Sequence, residues 1–314
     1  MRAGLDLGGT KIQAVVTDAE AGVLGSARRE TPSDEGADAV VRELAGAVRD
    51  ALGEAGVEAA ALTGVGVGAP GSIDVESGTV LKAANIEAWR EPYPLADRLE
   101  EELALPVVVG NDVSVAVEAE RRYGAGRAYG SFLGVFWGTG VGGGLVVDGR
   151  TLHGRGSAGE IGHVPAKAGG RRCACGLRGC VEAYAGRGAM EERARALARR
   201  RKTQLFEIQR KRGRPRLTSG VWARALAEDD ELARELLERA VRALAVGIGA
   251  AVNLLDVEAV VVGGGLGLRL GEEWLERLED ASREHVFFSE PPAFHLAELG
   301  DLGGAIGASL LAPA

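Results

Sequence analysis

All three cysteines of the chain, Cys173, Cys175 and Cys180, fall within one eight-residue stretch, and His163 lies just upstream of them. Three thiolates and one imidazole are a standard ligand set for a tetrahedral structural Zn²⁺. Unrelated buried thiols, or one disulfide with a spare thiol, are the alternatives. The run from Gly169 to Cys180 is rich in glycine and arginine, which does not suit a core element, and a reducing compartment favours metal over disulfide. Zn²⁺ on His163, Cys173, Cys175 and Cys180 is therefore expected, its net negative charge offset by Arg171, Arg172 and Arg178. Two carboxylates flank the cluster, Glu160 in Glu160-Ile-Gly-His163 and Glu182 just after Cys180.

Two glycine-rich stretches suggest phosphate chemistry: Asp6-Leu-Gly-Gly-Thr-Lys11 and Gly138-Thr-Gly-Val-Gly-Gly-Gly144. Glycines let backbone N–H groups approach phosphate oxygens, and threonine adds a hydroxyl donor; taken singly, each stretch reads equally as a tight turn. Gly138, Gly140 and Gly143 match the Gly-X-Gly-X-X-Gly spacing, but a dinucleotide fold needs a helix next, and 145–149 reads as strand and turn. The first stretch approaches a P-loop, yet Gly-Thr-Lys replaces the required Gly-Lys-Ser/Thr order and a strand again follows. Asp6 is a carboxylate inside an otherwise apolar strand, where a mere turn role fits poorly.

These residues need strands and helices to position them. Residues 2–7 and 11–17 alternate as a hairpin around the 8–10 turn. A helix over 37–52, a buried strand over 64–68, a further helix and a strand over 107–110 complete one α/β unit. A helix over 113–123 opens a second unit with a strand at 131–137, a turn at 138–144 and a returning strand at 145–147. Downstream come a helix over 231–254, a strand over 259–262, the loop Gly263-Gly-Gly265, another helix and a glycine- and alanine-rich helix over 303–311. The expected domains are 1–112, completed by the C-terminal helix within 303–314, and 113–302, which carries the zinc loop 163–182.

The ordered set of motifs resembles the sugar kinase, actin and Hsp70 superfamily, and within it the ROK family of sugar kinases and sugar-responsive repressors. The resemblance rests on Asp6–Lys11, Gly68-Ala-Pro-Gly71, Asn111-Asp112, Gly138–Gly144, Glu160-X-Gly-His163, Cys173-X-Cys-Gly-X-X-Gly-Cys-X-Glu182 and Gly263–Gly265, and covers nearly the whole chain. It implies an α/β fold of the two-domain actin-like ATPase (ribonuclease H-like) type, with ATP in an interdomain cleft that closes around the sugar.

By the same resemblance, Asp112 is the base for the attacking hydroxyl; an aspartate capping the next helix is the alternative. Asp6 would hold Mg²⁺, Gly8, Gly9, Thr10 and Lys11 would meet the phosphates, Gly138, Thr139 and Gly140 would meet them from the other side, and Gly264 and Gly265 would lie along the adenosine. Gly71, Asn85, Asn111, Asp112, Glu160, His163 and Glu182 would line the hexose, His163 using one ring nitrogen for zinc and the other for a hydroxyl. The expected activity is ATP-dependent phosphorylation of glucose to glucose 6-phosphate. N-acetylmannosamine, allose or fructose as substrate, polyphosphate as donor, and a non-catalytic sugar sensor are the alternatives. Family members are commonly homodimers or homotetramers.

Composition narrows the partners. The 314 residues are 46% hydrophobic with a net charge of -8, which argues against a general role on nucleic acid or anionic membranes. No apolar run approaches the ~20 residues of a membrane span. The chain enters its first strand at once, so neither a signal sequence nor an upstream DNA-binding helix pair is expected, and a cytoplasmic protein is. A basic segment, 199–216, includes Arg212-Gly-Arg-Pro215, the core of an AT-hook. Short basic runs are most often solvated surface, and nucleic acid is not the expected partner.

Overall fold

Apolar residues run nearly unbroken through β1 (Arg2–Leu7) and β2 (Lys11–Thr17), the pattern of strands covered on both faces. The computed structural model describes all residues except 33, 84–88, 90, 288–289 and 314. β3 (Val23–Glu30) extends the hairpin along its outer edge. Then come α1 (Ala37–Ala55), β4 (Val65–Ala69), the two-stranded ribbon of β5 (Ser72–Asp74) and β6 (Thr79–Lys82), α2 (Leu95–Leu103), β7 (Val107–Asn111) and α3 (Asp112–Tyr123). The sheet order is β3-β2-β1-β4-β7, with β1, β4 and β7 parallel. Asp6, Gly68 and Gly110 stand in register, so Asp6 and the Asn111-Asp112 pair share the carboxyl edge of this sheet. Ligands of open α/β sheets bind at that edge.

The next segment repeats the pattern. β8 (Phe132–Trp137), β9 (Val141–Val147) and β10 (Arg150–Leu152) form an antiparallel run. The short α4 (Glu182–Ala185), α5 (Arg187–Leu197), α6 (Leu205–Lys211), α7 (Ser219–Ala227) and the long α8 (Glu231–Leu255) follow. β11 (Ala259–Gly263), α9 (Gly264–Leu270), α10 (Glu272–Arg283) and β12 (Ala293–Leu296) complete it. The order β10-β9-β8-β11-β12 reproduces the first sheet strand for strand, with β8, β11 and β12 parallel. Each unit is therefore one ribonuclease H-like α/β layer. The chain ends in α11 (Gly303–Ser309).

Two compact units result: Met1–Arg127 with His153–Ala158 and Asp301–Ala314, and Ala128–Leu152 with Gly159–Gly300. α3 falls in the first of these units, beyond the expected boundary at Asp112. Its Val115 fills the space above Gly68, where a Cβ would come within 2.8 Å of that side chain. α11 lies on β1 and β4 at backbone contact. A Cβ on Gly4 would stand 2.0 Å from the Ala305 carbonyl oxygen, and one on Gly66 1.8 Å from that of Ala308. The first core gathers Leu5, Val16, Leu44, Val67, Leu99 and Val109; the second gathers Leu133, Trp137, Trp222, Leu237, Leu244 and Val260.

The returning strand of the second hairpin starts at Val141, not Leu145, so the turn is only 138–140. Gly142–Gly144 are strand glycines. A Cβ on Gly143 would meet the Gly159 carbonyl oxygen at 2.5 Å and Ile161 at 2.6 Å. Glycine here marks another chain segment laid on the strand rather than a turn.

Candidate functional site

In the first unit, the Gly8 N–H donates to the Lys11 carbonyl at 2.9 Å and closes the β1–β2 turn. Asp6 sits half-buried beside it, and a Cβ on Gly304 would touch its carboxylate at 2.7 Å. Loss of hydration pushes the Asp6 carboxyl up to about 6, against the pull of Lys11 and with the push of Asp301. Lys11 Nζ lies 3.6 Å from Asp301. A carboxylate held in such a place gains most from a cation.

Asn111, rather than Asp112, caps α3, its side-chain oxygen accepting from the N–H groups of Val113 at 3.1 Å and Ser114 at 3.0 Å. Its amide nitrogen donates to Asp112 Oδ1 at 3.1 Å and to the Gly71 carbonyl at 3.3 Å. Asp112 Oδ1 also accepts from the Val113 N–H at 2.9 Å. One oxygen of Asp112 is thus pinned by the helix start and by Asn111. Gly71 adopts a left-handed backbone, φ 93°, where a Cβ would run into the Lys82 carbonyl oxygen at 2.1 Å. Asn85 lies outside the described residues. Trp89 is fully buried and stacks on Tyr93 at 5.9 Å.

The second unit holds the other expected residues. Gly138 N–H donates to the Gly140 carbonyl at 3.0 Å, leaving Thr139 at the tip of the hairpin. Gly264, φ 81°, packs against the backbone of Trp137, 2.6 Å from its carbonyl oxygen to the position of a Cβ, so α9 starts directly beside the end of β8. A Cβ on Gly140 would strike Glu182 Oε2 at 2.2 Å. That same oxygen accepts from the Val141 N–H at 3.0 Å. Trp137 Nε1 donates to the Ala185 carbonyl at 2.7 Å and ties α4, the carrier of Glu182, to the hairpin.

The metal quartet converges. The ligand atoms of His163, Cys173, Cys175 and Cys180 all lie within 4.8 Å of one another. Cys175 and Cys180 sulfurs are 3.8 Å apart, and His163 Nδ1 is 4.0 Å from Cys173 Sγ. Zinc–ligand distances of about 2.0–2.3 Å put tetrahedral ligand atoms at roughly this separation, so the donor set fits Zn²⁺. Burial pushes the Cys173 thiol up to about 12, so a thiolate there calls for a cation. Tight turns shape the loop. Cys173 N–H donates to the Leu177 carbonyl at 2.9 Å, and Gly179, φ 86°, sits where a Cβ would overlap the Lys167 carbonyl oxygen. Cys173 Sγ also donates to Glu182 Oε1 at 3.6 Å, which joins the cluster to the α4 carboxylate that holds the Val141 N–H of β9. Glu160 is exposed just before the short turn Ile161–His163, and Gly162 is needed there because a Cβ would meet the Val141 carbonyl oxygen at 1.9 Å. Of the arginines expected to offset the cluster, Arg171 stacks over Tyr184 at 5.6 Å and Arg178 donates to the Gly170 carbonyl at 3.3 Å.

Sequence reasoning missed Arg187 and Ser219. Arg187 donates to Thr139 Oγ1 at 2.7 Å and to Ser219 Oγ at 2.9 Å, and Ser219 Oγ lies 3.7 Å from where a Cβ on Gly265 would be. A lone arginine in an arginine-rich chain carries no local signal. The AT-hook core is not an extended arm: α6 leads into it, Gly213 is left-handed at φ 59°, and the Arg214 N–H donates to the Gln209 carbonyl at 3.1 Å. Lys211 pairs with Glu207 at 2.7 Å, and Arg201 with Glu235.

Residues 2–314 match the ROK family. The chain belongs to the ROK family. A glucokinase of Halalkalibacterium halodurans is 32% identical over 98% of this chain and 93% of its own length. An N-acetyl-D-glucosamine kinase of Pectobacterium carotovorum is 32% identical over 98% and 97%. The crystal structure of a ROK glucokinase from Streptomyces griseus in complex with glucose and AMPPNP is 31% identical, covers 99% of this chain and 98% of that one, and superposes with a TM-score of 0.84. This ROK protein therefore has the actin-like ATPase fold that its motifs suggested. Among its described residues, no helix is long and apolar enough to cross a membrane.

Proposed function

We propose that this ROK protein transfers the γ-phosphoryl group of ATP to the C6 hydroxyl of glucose, giving glucose 6-phosphate and ADP. The chain is an ATP-dependent hexose kinase, and glucose is the hexose proposed for it. The observation that carries it is Asp112, a carboxylate at the carboxyl edge of the first sheet with one oxygen fixed by Asn111 and Val113. Such a group is oriented before the sugar arrives, which is what general-base catalysis requires. Asp112 takes the hydroxyl proton, the sugar oxygen bonds to the γ-phosphorus, and the bond to the β,γ-bridging oxygen breaks as ADP leaves.

Asn111, the backbone at Gly71, Glu160, His163 and Glu182 are the residues this reading gives to the sugar hydroxyls. His163 turns Nδ1 toward the cysteines, which leaves Nε2 for a hydroxyl. Zn²⁺, when bound by His163, Cys173, Cys175 and Cys180, would fix the loop and the imidazole tautomer. Mg²⁺ would be held by Asp6 and would neutralise the triphosphate. Gly8, Gly9, Thr10 and Lys11, and separately Gly138, Thr139 and Gly140, offer donors to the phosphates, with Gly264 and Gly265 beside the adenosine. The reaction would feed cytoplasmic glycolysis, and a homodimer or homotetramer is the assembly this reading carries.

The equally similar N-acetyl-D-glucosamine kinase makes that sugar the second candidate. A purely sensing role leaves both phosphate loops and Asp112 without a task. The test is a coupled ADP-release assay across glucose, N-acetylglucosamine, N-acetylmannosamine, allose and fructose, with ATP and with polyphosphate. Glucose with ATP should give the highest kcat/KM; preference for another hexose overturns the assignment of glucose.

A further inference from the structure

Arg187 stands at the start of α5, half-buried, and both of its hydrogen bonds go to hydroxyls, Thr139 Oγ1 at 2.7 Å and Ser219 Oγ at 2.9 Å. No ion pair joins it among the described residues. A second guanidinium is close, because a Cβ on Gly188, the next residue, would lie 3.8 Å from an Arg216 nitrogen. Arg216 itself is 3.7 Å from Glu191, whose carboxylate is already engaged by Arg195 at 2.6 Å and by the Leu217 N–H at 3.0 Å. Burial, then repulsion from Arg216, lowers the pKa of Arg187. Arg187 is a half-buried cation with no carboxylate in direct contact among the described residues, and the nearest one, Glu191, is shared with the exposed Arg216 and with Arg195, so the local positive charge is only partly offset.

The hydroxyls sharpen the point. Arginine has only donors, so Thr139 and Ser219 must accept from it, and each hydroxyl proton is then directed elsewhere as a donor. The result is a group of donors at the hairpin tip with cations behind them, the chemistry that fits a chain of phosphates.

We propose that Arg187 and Arg216, with Thr139 and Ser219, form a binding site for the phosphate chain of the donor nucleotide. The proposal rests on the kinase reading above and adds two arginines to it, one of them drawn from the basic segment 199–216. Arg187 binds the chain directly and sets the two hydroxyls as donors, while Arg216 adds charge from beyond the α5 start.

The experiment measures binding of Mg-ATP, and of inorganic tripolyphosphate as a sugar-free probe, by calorimetry, together with KM for ATP and for glucose. Arg187→Ala should weaken both anions by about tenfold or more, as expected for lost charge-assisted hydrogen bonds, and leave KM for glucose within about twofold. Arg187→Lys should recover only part of the affinity, since an ammonium cannot span both hydroxyls. Arg216→Ala, at a more exposed position, should raise KM for ATP a few-fold and serves if Arg187→Ala fails to fold. A folded Arg187→Ala or Arg216→Ala protein with wild-type affinity for ATP and tripolyphosphate overturns the proposal, as does an equal rise in both KM values. Wild-type protein that binds Mg-ATP through Arg187 yet phosphorylates no hexose overturns the kinase reading and leaves the site standing. Wild-type protein that binds neither anion overturns both.

Discussion

Asp6→Asn should stabilise the metal-free protein at neutral pH while removing its catalysis. The Asp6 carboxyl is pushed from 3.8 up to about 6, mainly by lost hydration, so the folded state keeps its proton to higher pH than the unfolded chain does. Between those two values the native state binds more protons than the unfolded state, and stability falls as pH rises. The cost is fully present above about pH 6, and at 1.36 kcal/mol per tenfold shift it amounts to about 3 kcal/mol. The asparagine amide fills the same space beside Gly304 without the charge. At roughly 2–4 °C per kcal/mol for a unit of this size, Asn should raise Tm by about 6–12 °C at pH 7.5 in EDTA. The gap should narrow as pH is lowered to 5, and Mg-ATP should stabilise the wild type more than the variant. Thermal melts followed by circular dichroism across this pH range read all three effects. A variant that melts below the wild type at pH 7.5, or a gap that is the same at pH 5 and 7.5, refutes the argument that burial of a charge governs Asp6.

Asp112→Asn should lower kcat by about 10²–10⁴-fold, the usual worth of a general base, with glucose affinity changed only a few-fold; steady-state kinetics and equilibrium titration check it. Cys175→Ser should lower both zinc content, read by metal analysis, and glucose affinity; loss of zinc with normal glucose affinity removes the orienting role given to His163. Gly307→Ala places a methyl 1.9 Å from the Val115 carbonyl oxygen and should cost at least about 1–3 kcal/mol in urea melts, because α3 and α11 meet there at backbone contact.

The hairpins, the order of the glycine loops and the cysteine cluster were legible in the sequence because each depends on neighbours in the chain. β1, β2, β4, β7, β8 and β11 fall close to their expected bounds for the same reason: buried strands write continuous apolar runs. β3 was missed since it is an edge strand with a polar face, and its Gly25 is there to admit α1, whose Ala51 carbonyl oxygen would lie 2.4 Å from a Cβ. Gly142–Gly144 read as turn because their true neighbour, the 159–161 segment, is distant in sequence. Arg187 shows the limit most clearly. Its partners lie 48 residues before it and 32 after it, and only folding brings them to one guanidinium.

Phosphorus resonances followed after the enzyme is mixed with glucose and Mg-ATP report on Asp112 as the base of a glucose kinase. The wild type should give equal amounts of glucose 6-phosphate and ADP, and Asp112→Asn should hold glucose without forming product. Glucose bound by the wild type with ATP left intact, or product formed at normal rate by Asp112→Asn, would refute that role.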